Sequence, residues 1–476
     1  MLGTANSYAE WRDAALAQDE KTKADHWKLR DQTRRYDYAS IKNRLDTIRK
    51  LRNEKKDTEL LFILNEGIHG NMGGMGNHSL YQKAKFGTKQ LITDYVDEVA
   101  KALQYLADSH SNSLSLDEKI EFFHRASHCF GRSALMMSGS GSLLYFHLGV
   151  VKALWEQDIL PPIISGASGG AFVAALIGTH THEELEKFFD PSFFEVEMEK
   201  EVNFFRAFSL LKTKPMPVEK MRAVYERLIP EMTFQEAYEL TGYKINISVA
   251  PAEQHQTSRL LNAITSPNVL IREAVIASSS VPRVYPAAIL AAKNAKGEKK
   301  PYLPGRRWID GSMAEDLPIK RLVRLYGVNH TIASQTNPFV LPFIGGHKEE
   351  DGAIDVLKSA MLTSYKHWTL TSAKMFKKPI NQVPTLSKFV NTWVSLVSQT
   401  YTGDINILPP NKLFNPIRLM QFRTKDEILA MIRDGERATW PKIEKIRIQS
   451  HISRTLDNII LSLEKEVYQQ ADTDYL

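Results

Sequence analysis

Three short stretches of this sequence carry residues whose types and spacing could perform acyl transfer. Gly166-Ala167-Ser168-Gly169-Gly170 reads G-x-S-x-G, after the apolar pair Ile163 and Ile164 and before the run AFVAALIG. A serine at a sharp strand-to-helix turn needs a sparsely allowed backbone. Close packing of strand on helix leaves its flanks room only for glycine. Such a turn displays the hydroxyl, and the N–H groups of the helix start face negative charge as it develops. A plain tight turn is the alternative. Upstream, ALMMSGSGSLLYFHLGVVKAL again runs from an apolar segment through Gly139, Ser140 and Gly141 toward a helical pattern. Glycines there would let successive N–H groups form an anion nest. Acyl transfer needs such donors, each worth about 3–4 kcal/mol, beside the oxyanion. A phosphate loop or a simple turn is the competing reading. A dinucleotide fingerprint fits poorly, because Leu144 stands at the third glycine position.

A serine hydroxyl is a weak nucleophile until a base takes its proton. RRWIDGSMAEDLP offers Asp310, followed by Gly311, at the end of an apolar segment. That is where an α/β sheet presents site residues. An Asp-Gly pair also makes ordinary turns. Asp310 lies 310 − 168 = 142 residues after Ser168, so only the fold can bring the two together. A Ser-Asp-His triad would need a histidine after the acid. His330, His347, His367 and His451 are available. His180 and His182 suggest a metal pair but lack a third ligand, so no metal and no cofactor is expected.

The elements that must position these residues change character along the chain. Residues 1–130 read as a helical domain. Ile41, Leu45, Ile48 and Leu51 recur at helical spacing, as do Ile92, Val96, Val99, Leu103 and Leu106. Ser115 with Glu118 makes a capping box, and IHGNMGGMGN (68–77) reads as a loop. From about Ala134, short apolar segments alternate with helical patterns: 134–137, 163–164, 245–250, 308–309 and 331–334. That alternation predicts an α/β core over 131–340, a mainly parallel sheet covered by helices on both faces. The basic stretch 292–307 reads as an exposed excursion. A helical region follows over 341–476. It has a capping box at Thr424 and Glu427, a stop at Gly435, and a long amphipathic helix from Pro441. Within it, Leu386, Phe389, Val390, Trp393 and Val397 share one helical face, suited either to the core or to a lipid interface.

Of the 476 residues, 43% are hydrophobic and 24% charged, which predicts sizeable buried cores. The net charge of +6 comes from 61 basic and 55 acidic residues with the signs interspersed. This lacks the dense basic stripe of a nucleic-acid binder. The single cysteine, Cys129, excludes an intramolecular disulfide and suits a reducing compartment. The first residues do not read as a signal peptide, and no run of about 18 apolar residues predicts a membrane span. A membrane contact, if made, is expected to be peripheral.

The ordered set of motifs resembles one family. Ser-Gly-Ser-Gly, Phe146-His147-Leu148-Gly149-Val150, GASGG, SSSVPRVYP (278–286) and Asp310-Gly311 occur in the order of patatin-like lipases. YDYASIKNRLDTIRKLR, GNMGGMGNHSLY, ITDYVDEVAKAL, SQTNPFV (334–340), TGDINILPP and ERATWPKIEKI resemble the triacylglycerol-lipase branch, including plant seed-oil and yeast lipid-droplet lipases. The resemblance implies a patatin-like three-layer α/β/α core flanked by helical N- and C-terminal regions. It implies a Ser–Asp dyad of Ser168 and Asp310, an oxyanion hole at Gly139, Ser140 and Gly141, and supporting glycines Gly166, Gly169, Gly170 and Gly311. It further implies a lipid substrate met at a membrane or lipid-droplet surface from the cytoplasm, with triacylglycerol favoured over phospholipid. The chain departs from the broader pattern at Ser140, at Leu143 where many members carry Arg or Lys, and at Ser312.

Overall fold

The computed structural model describes residues 2–109, 114–190, 218–253, 257–282, 284–338, 340–341, 344, 402–411 and 423–474. The apolar face expected at 386–400, His347 and His367 lie outside the described residues. The chain divides into two compact units, and both are discontinuous in sequence. The first comprises 1–133, 322–330 and 440–476, and the second 134–321 and 331–439. The helical region expected at 341–476 is thus shared between them, parting after residue 439.

The first unit is helical. Its principal helices are α1 (Tyr8–Lys21), α2 (Ala24–Leu29), α3 (Tyr38–Asn53), α4 (Asp57–Asn65), α5 (Gln90–Asp108) and α6 (Leu116–Phe130). The periodic residues of the sequence are its core: Ile41, Leu45 and Ile48 of α3 and Ile92, Val96, Val99, Leu103 and Leu106 of α5 are buried. Ser115 and Glu118 close their reciprocal capping box on α6. The long C-terminal helix Ile443–Asp474 adds Ile452, Leu456 and Ile459 to the same core.

The second unit is built on a sheet. Its strands are β1 (Arg132–Met137), β2 (Ile163–Gly166), β3 (Lys244–Pro251), β4 (Arg259–Leu261), β7 (Trp308–Asp310), β8 (Val328–Ser334) and β9 (Ile405–Ile407); β5 (Leu290–Lys293) and β6 (Lys299–Tyr302) pair separately. The order is β4-β3-β2-β1-β8-β9, with β7 also paired to β3. β1, β2 and β3 are mutually parallel, as are β8 and β9, while β4 and β7 run antiparallel to β3. All four residues of β2 are buried, as a central parallel strand covered on both faces requires. Helices α7 (Leu144–Trp155) and α8 (Gly169–Gly178) follow β1 and β2, and every residue of α8 is buried.

The stretch 292–307 is largely exposed, as expected, and residues 290–302 form the β5–β6 hairpin. Its Lys293 meets Glu236 at 2.7 Å and Lys299 meets Glu273 at 2.9 Å, so part of the basic charge is neutralised. Gly435 does not stop a helix. The helix that opens at the Thr424–Glu427 box runs from Lys425 to Thr439, straight through Gly435. The glycine is there for close approach: a Cβ on Gly435 would lie 2.2 Å from the Phe146 carbonyl oxygen, and one on Gly149 would lie 2.0 Å from that of Ile432. The two helices therefore meet backbone to backbone, with Lys152 ion-paired to Glu436 beside the crossing. Because both obstacles are backbone, Gly149→Ala is expected to lower unfolding free energy by roughly 2–3 kcal/mol, measured by urea titration of the full chain. An unchanged midpoint would refute the crossing.

Candidate active site

The turn after β2 is a strained elbow. Ser168 sits at φ 51° and ψ −120°, a conformation that non-glycine residues adopt at a cost of about 1–3 kcal/mol. The flanking glycines explain how it fits. A Cβ on Gly166 would lie 2.2 Å from the Gly170 carbonyl oxygen, and one on Gly170 would lie 2.4 Å from that of Met137. A Cβ on Gly169 would strike Ser140 Oγ at 2.1 Å, so the elbow and the glycine loop after β1 lie in direct contact. The Ser168 N–H donates to Ser278 Oγ at 2.9 Å, and the Ser278 hydroxyl donates to the Ser248 carbonyl at 2.7 Å. The elbow is thus anchored to the helix Ile271–Ser278 and to β3.

Asp310 ends β7, paired opposite Val249 of β3. Its N–H donates to the Ser280 carbonyl, and its Oδ1 accepts the Ser312 N–H at 2.8 Å. Gly311 is required beside it, since a Cβ would lie 2.2 Å from the Ser248 oxygen. The carboxylate is 2% exposed, and the Ser168 hydroxyl lies near enough to lower its pKa. Two residues 142 positions apart in sequence are therefore neighbours. Burial pushes the Asp310 carboxyl up to about 6, against the hydrogen bonds from Ser312 and Ser168.

Gly139, Ser140 and Gly141 form the loop between β1 and α7, and their N–H groups have different fates. That of Gly139 donates to Asp316 Oδ1 at 2.7 Å, so it is already engaged. Those of Ser140 and Gly141 find no acceptor among the described residues. His147, on α7, is fully buried, with ring nitrogens 2.6 Å from Ser334 Oγ and 3.0 Å from the Ser138 carbonyl. Burial drives it down to about 4, so it stays neutral and braces the end of β1. His330 bonds Ser133 and Gln449, and His451 pairs with Asp97. His180 bonds the Leu176 carbonyl and His182 packs on Trp155, so the suggested metal pair is otherwise engaged.

Sequence reasoning passed over Asp316, Ser278 and Asn337. Asp316 is 1% exposed; its Oδ2 accepts the Asn337 amide at 3.0 Å. Burial, with the Asp310 charge adding, pushes its carboxyl up to about 7. These residues stood in RRWIDGSMAEDLP, SSSVPRVYP and SQTNPFV, but no spacing rule marks them.

Residues 135–323 match the patatin-like phospholipase family, and residues 1–128 match a domain of unknown function, DUF3336. The second unit therefore carries a patatin-like phospholipase domain. The chain is 34% identical to triacylglycerol lipase SDP1L of Arabidopsis thaliana over 97% of its own length and 58% of that protein's. It is 33% identical to triacylglycerol lipase 4 of Saccharomyces cerevisiae over 96% of itself and 52% of the relative. A patatin-like phospholipase domain-containing protein of Candida albicans is 32% identical over 96% of the chain and 57% of its own length. The chain thus spans little more than half of these relatives.

The patatin domain's buried carboxylate has a thermodynamic signature. A raised folded pKa means that its contribution to stability is full below the unfolded value of about 3.8 and is lost as pH rises through about 6. Asp310→Asn, which keeps an acceptor for Ser312, is expected to raise unfolding free energy at pH 8 by on the order of 1–3 kcal/mol, with the gain vanishing by pH 4. Denaturant titrations at the two pH values check this; an equal effect at both would count against it.

Proposed function

We propose that this protein is a serine acylhydrolase that cleaves ester bonds of glycerolipids with a Ser168–Asp310 dyad, acting on triacylglycerol. The observation that carries the reading is a strained elbow that sets the Ser168 hydroxyl beside the buried Asp310 carboxylate. Asp310 accepts the hydroxyl proton as Oγ attacks the ester carbonyl. The N–H groups of Ser140 and Gly141 stabilise the resulting tetrahedral anion. Asp310 returns the proton to the departing alcohol, and water repeats the sequence to free the fatty acid. A solvated aspartate is too weak a base near neutrality; one raised to about 6 is better matched and still mostly ionised at pH 7.

Triacylglycerol is favoured because two relatives that match nearly the whole chain are named triacylglycerol lipases. The patatin-like phospholipase domain supports a second substrate class, phospholipids, cleaved or used for acyl transfer by the same residues. Such substrates reside at a membrane or lipid-droplet surface, where we place the reaction. Among the described residues, no helix is long and apolar enough to cross a membrane.

The test is fatty-acid release from a panel of triacylglycerol, diacylglycerol and phospholipid emulsions. Ser168→Ala and Asp310→Asn are each expected to lose at least about a thousandfold in kcat, with release by wild type greatest from triacylglycerol. Release that survives Asp310→Asn would remove the dyad, and a phospholipid-only profile would shift the substrate. The acid limb of kcat/KM is expected near pH 6, falling about tenfold per unit below it, because only ionised Asp310 can take the proton. A limb near pH 4 would assign the base elsewhere.

A further inference from the structure

We propose that Asp316 is a positioning residue for acyl transfer, clamping the loop after β1 so that the Ser140 and Gly141 N–H groups remain for the oxyanion. This rests on the reading of Ser168 as nucleophile. Asp316 is fully enclosed and holds two separate segments. Its Oδ1 takes the Gly139 N–H at 2.7 Å, and its Oδ2 takes the Asn337 side-chain amide at 3.0 Å. Asn337 is itself fixed, donating its N–H to Gln335 Oε1 at 2.8 Å. Beside this clamp, the Ser138 N–H donates to the Ser334 carbonyl and the Thr336 N–H to Ser138 Oγ, tying the ends of β1 and β8.

The same turn also carries the base. Asp316 lies six positions after Asp310, just past the short 3₁₀ turn Gly311–Met313. Gly139 is pressed against that turn: a Cβ there would lie 2.8 Å from Ser312 Cβ and 3.6 Å from Asp316 Oδ1. The residues that take the proton and those that meet the oxyanion are thus held in register by one carboxylate. Removing it leaves the buried Gly139 N–H without an acceptor. The loop must then rotate to satisfy it, and a displacement near 1 Å at such a site costs about a hundredfold in rate.

The experiment compares Asp316→Ala and Asp316→Asn in the full chain. It measures kcat and KM on a soluble ester, and inhibition by an alkyl trifluoromethyl ketone against the corresponding carbinol. The ketone adds to Ser168 Oγ and places an oxyanion in the hole; the carbinol binds without one. Asp316→Ala is expected to lower kcat about a hundredfold with KM within threefold, and to weaken the ketone in parallel while leaving the carbinol unchanged. Asp316→Asn, which keeps an oxygen for Gly139, is expected to recover activity to within tenfold of wild type. If Asp316→Ala does not fold, Asn337→Ala carries the test, with kcat expected to fall about tenfold at constant KM. Full kcat in Asp316→Ala, or in Asn337→Ala where Asp316→Ala does not fold, overturns the clamp, as does a loss confined to KM or an equal loss in Asp316→Asn and Asp316→Ala. Wild type that neither turns over ester nor binds the ketone at Ser168 overturns the nucleophile reading and the clamp with it.

Discussion

The second unit depends on one juxtaposition made out of reach of water, the Ser168 hydroxyl beside the buried Asp310 carboxylate. An exposed carboxylate would be better solvated but a poorer base; a buried one left unpaired would simply take up a proton. The structure resolves this by giving Asp310 the Ser312 N–H as a donor, with the Ser168 hydroxyl beside it, and by enclosing the group. The strain at Ser168 is the other half of the same arrangement. A relaxed backbone would turn the side chain away, and the surrounding anchors to Ser278 and Ser248 hold it in place.

Close approach of backbone to backbone recurs throughout this unit. Gly166, Gly170 and Gly311 each stand where a methyl group would fall within about 2.5 Å of a carbonyl oxygen. They are not flexible points but positions where strand, helix and loop are packed more tightly than any side chain permits. Gly149 and Gly435 apply the same device to a helix pair farther along the sequence, so that the helix following the glycine loop is seated against Lys425–Thr439.

Much of this was legible in the sequence. The elbow, the loop at 139–141, the aspartate at a strand end and the parallel strands left signals because local composition imposes them: glycine where space is absent, apolar runs where both faces are covered. Gly435 shows the limit of such signals. A glycine within a helical pattern reads as a stop unless the partner helix is known, and that partner lies almost 300 residues earlier. Asp316 shows it more sharply. An aspartate before Leu317-Pro318 has no pattern of its own, and its importance appears only when Gly139 and Asn337, far apart in sequence, converge on it. The hairpin at 290–302 was hidden because its lysines read as solvated until their acidic partners on neighbouring helices are placed.

The helical unit has a consequence of its own. Its core is shared between residues 36–130 and residues 448–463, with the whole patatin-like domain lying between them in sequence. During synthesis the helices of residues 36–130 emerge long before Ile452, Leu456 and Ile459, which cover their apolar faces. Until then those faces must stay wet or be sheltered by a chaperone. A truncation before residue 448 would therefore uncover helices made more than 300 residues earlier.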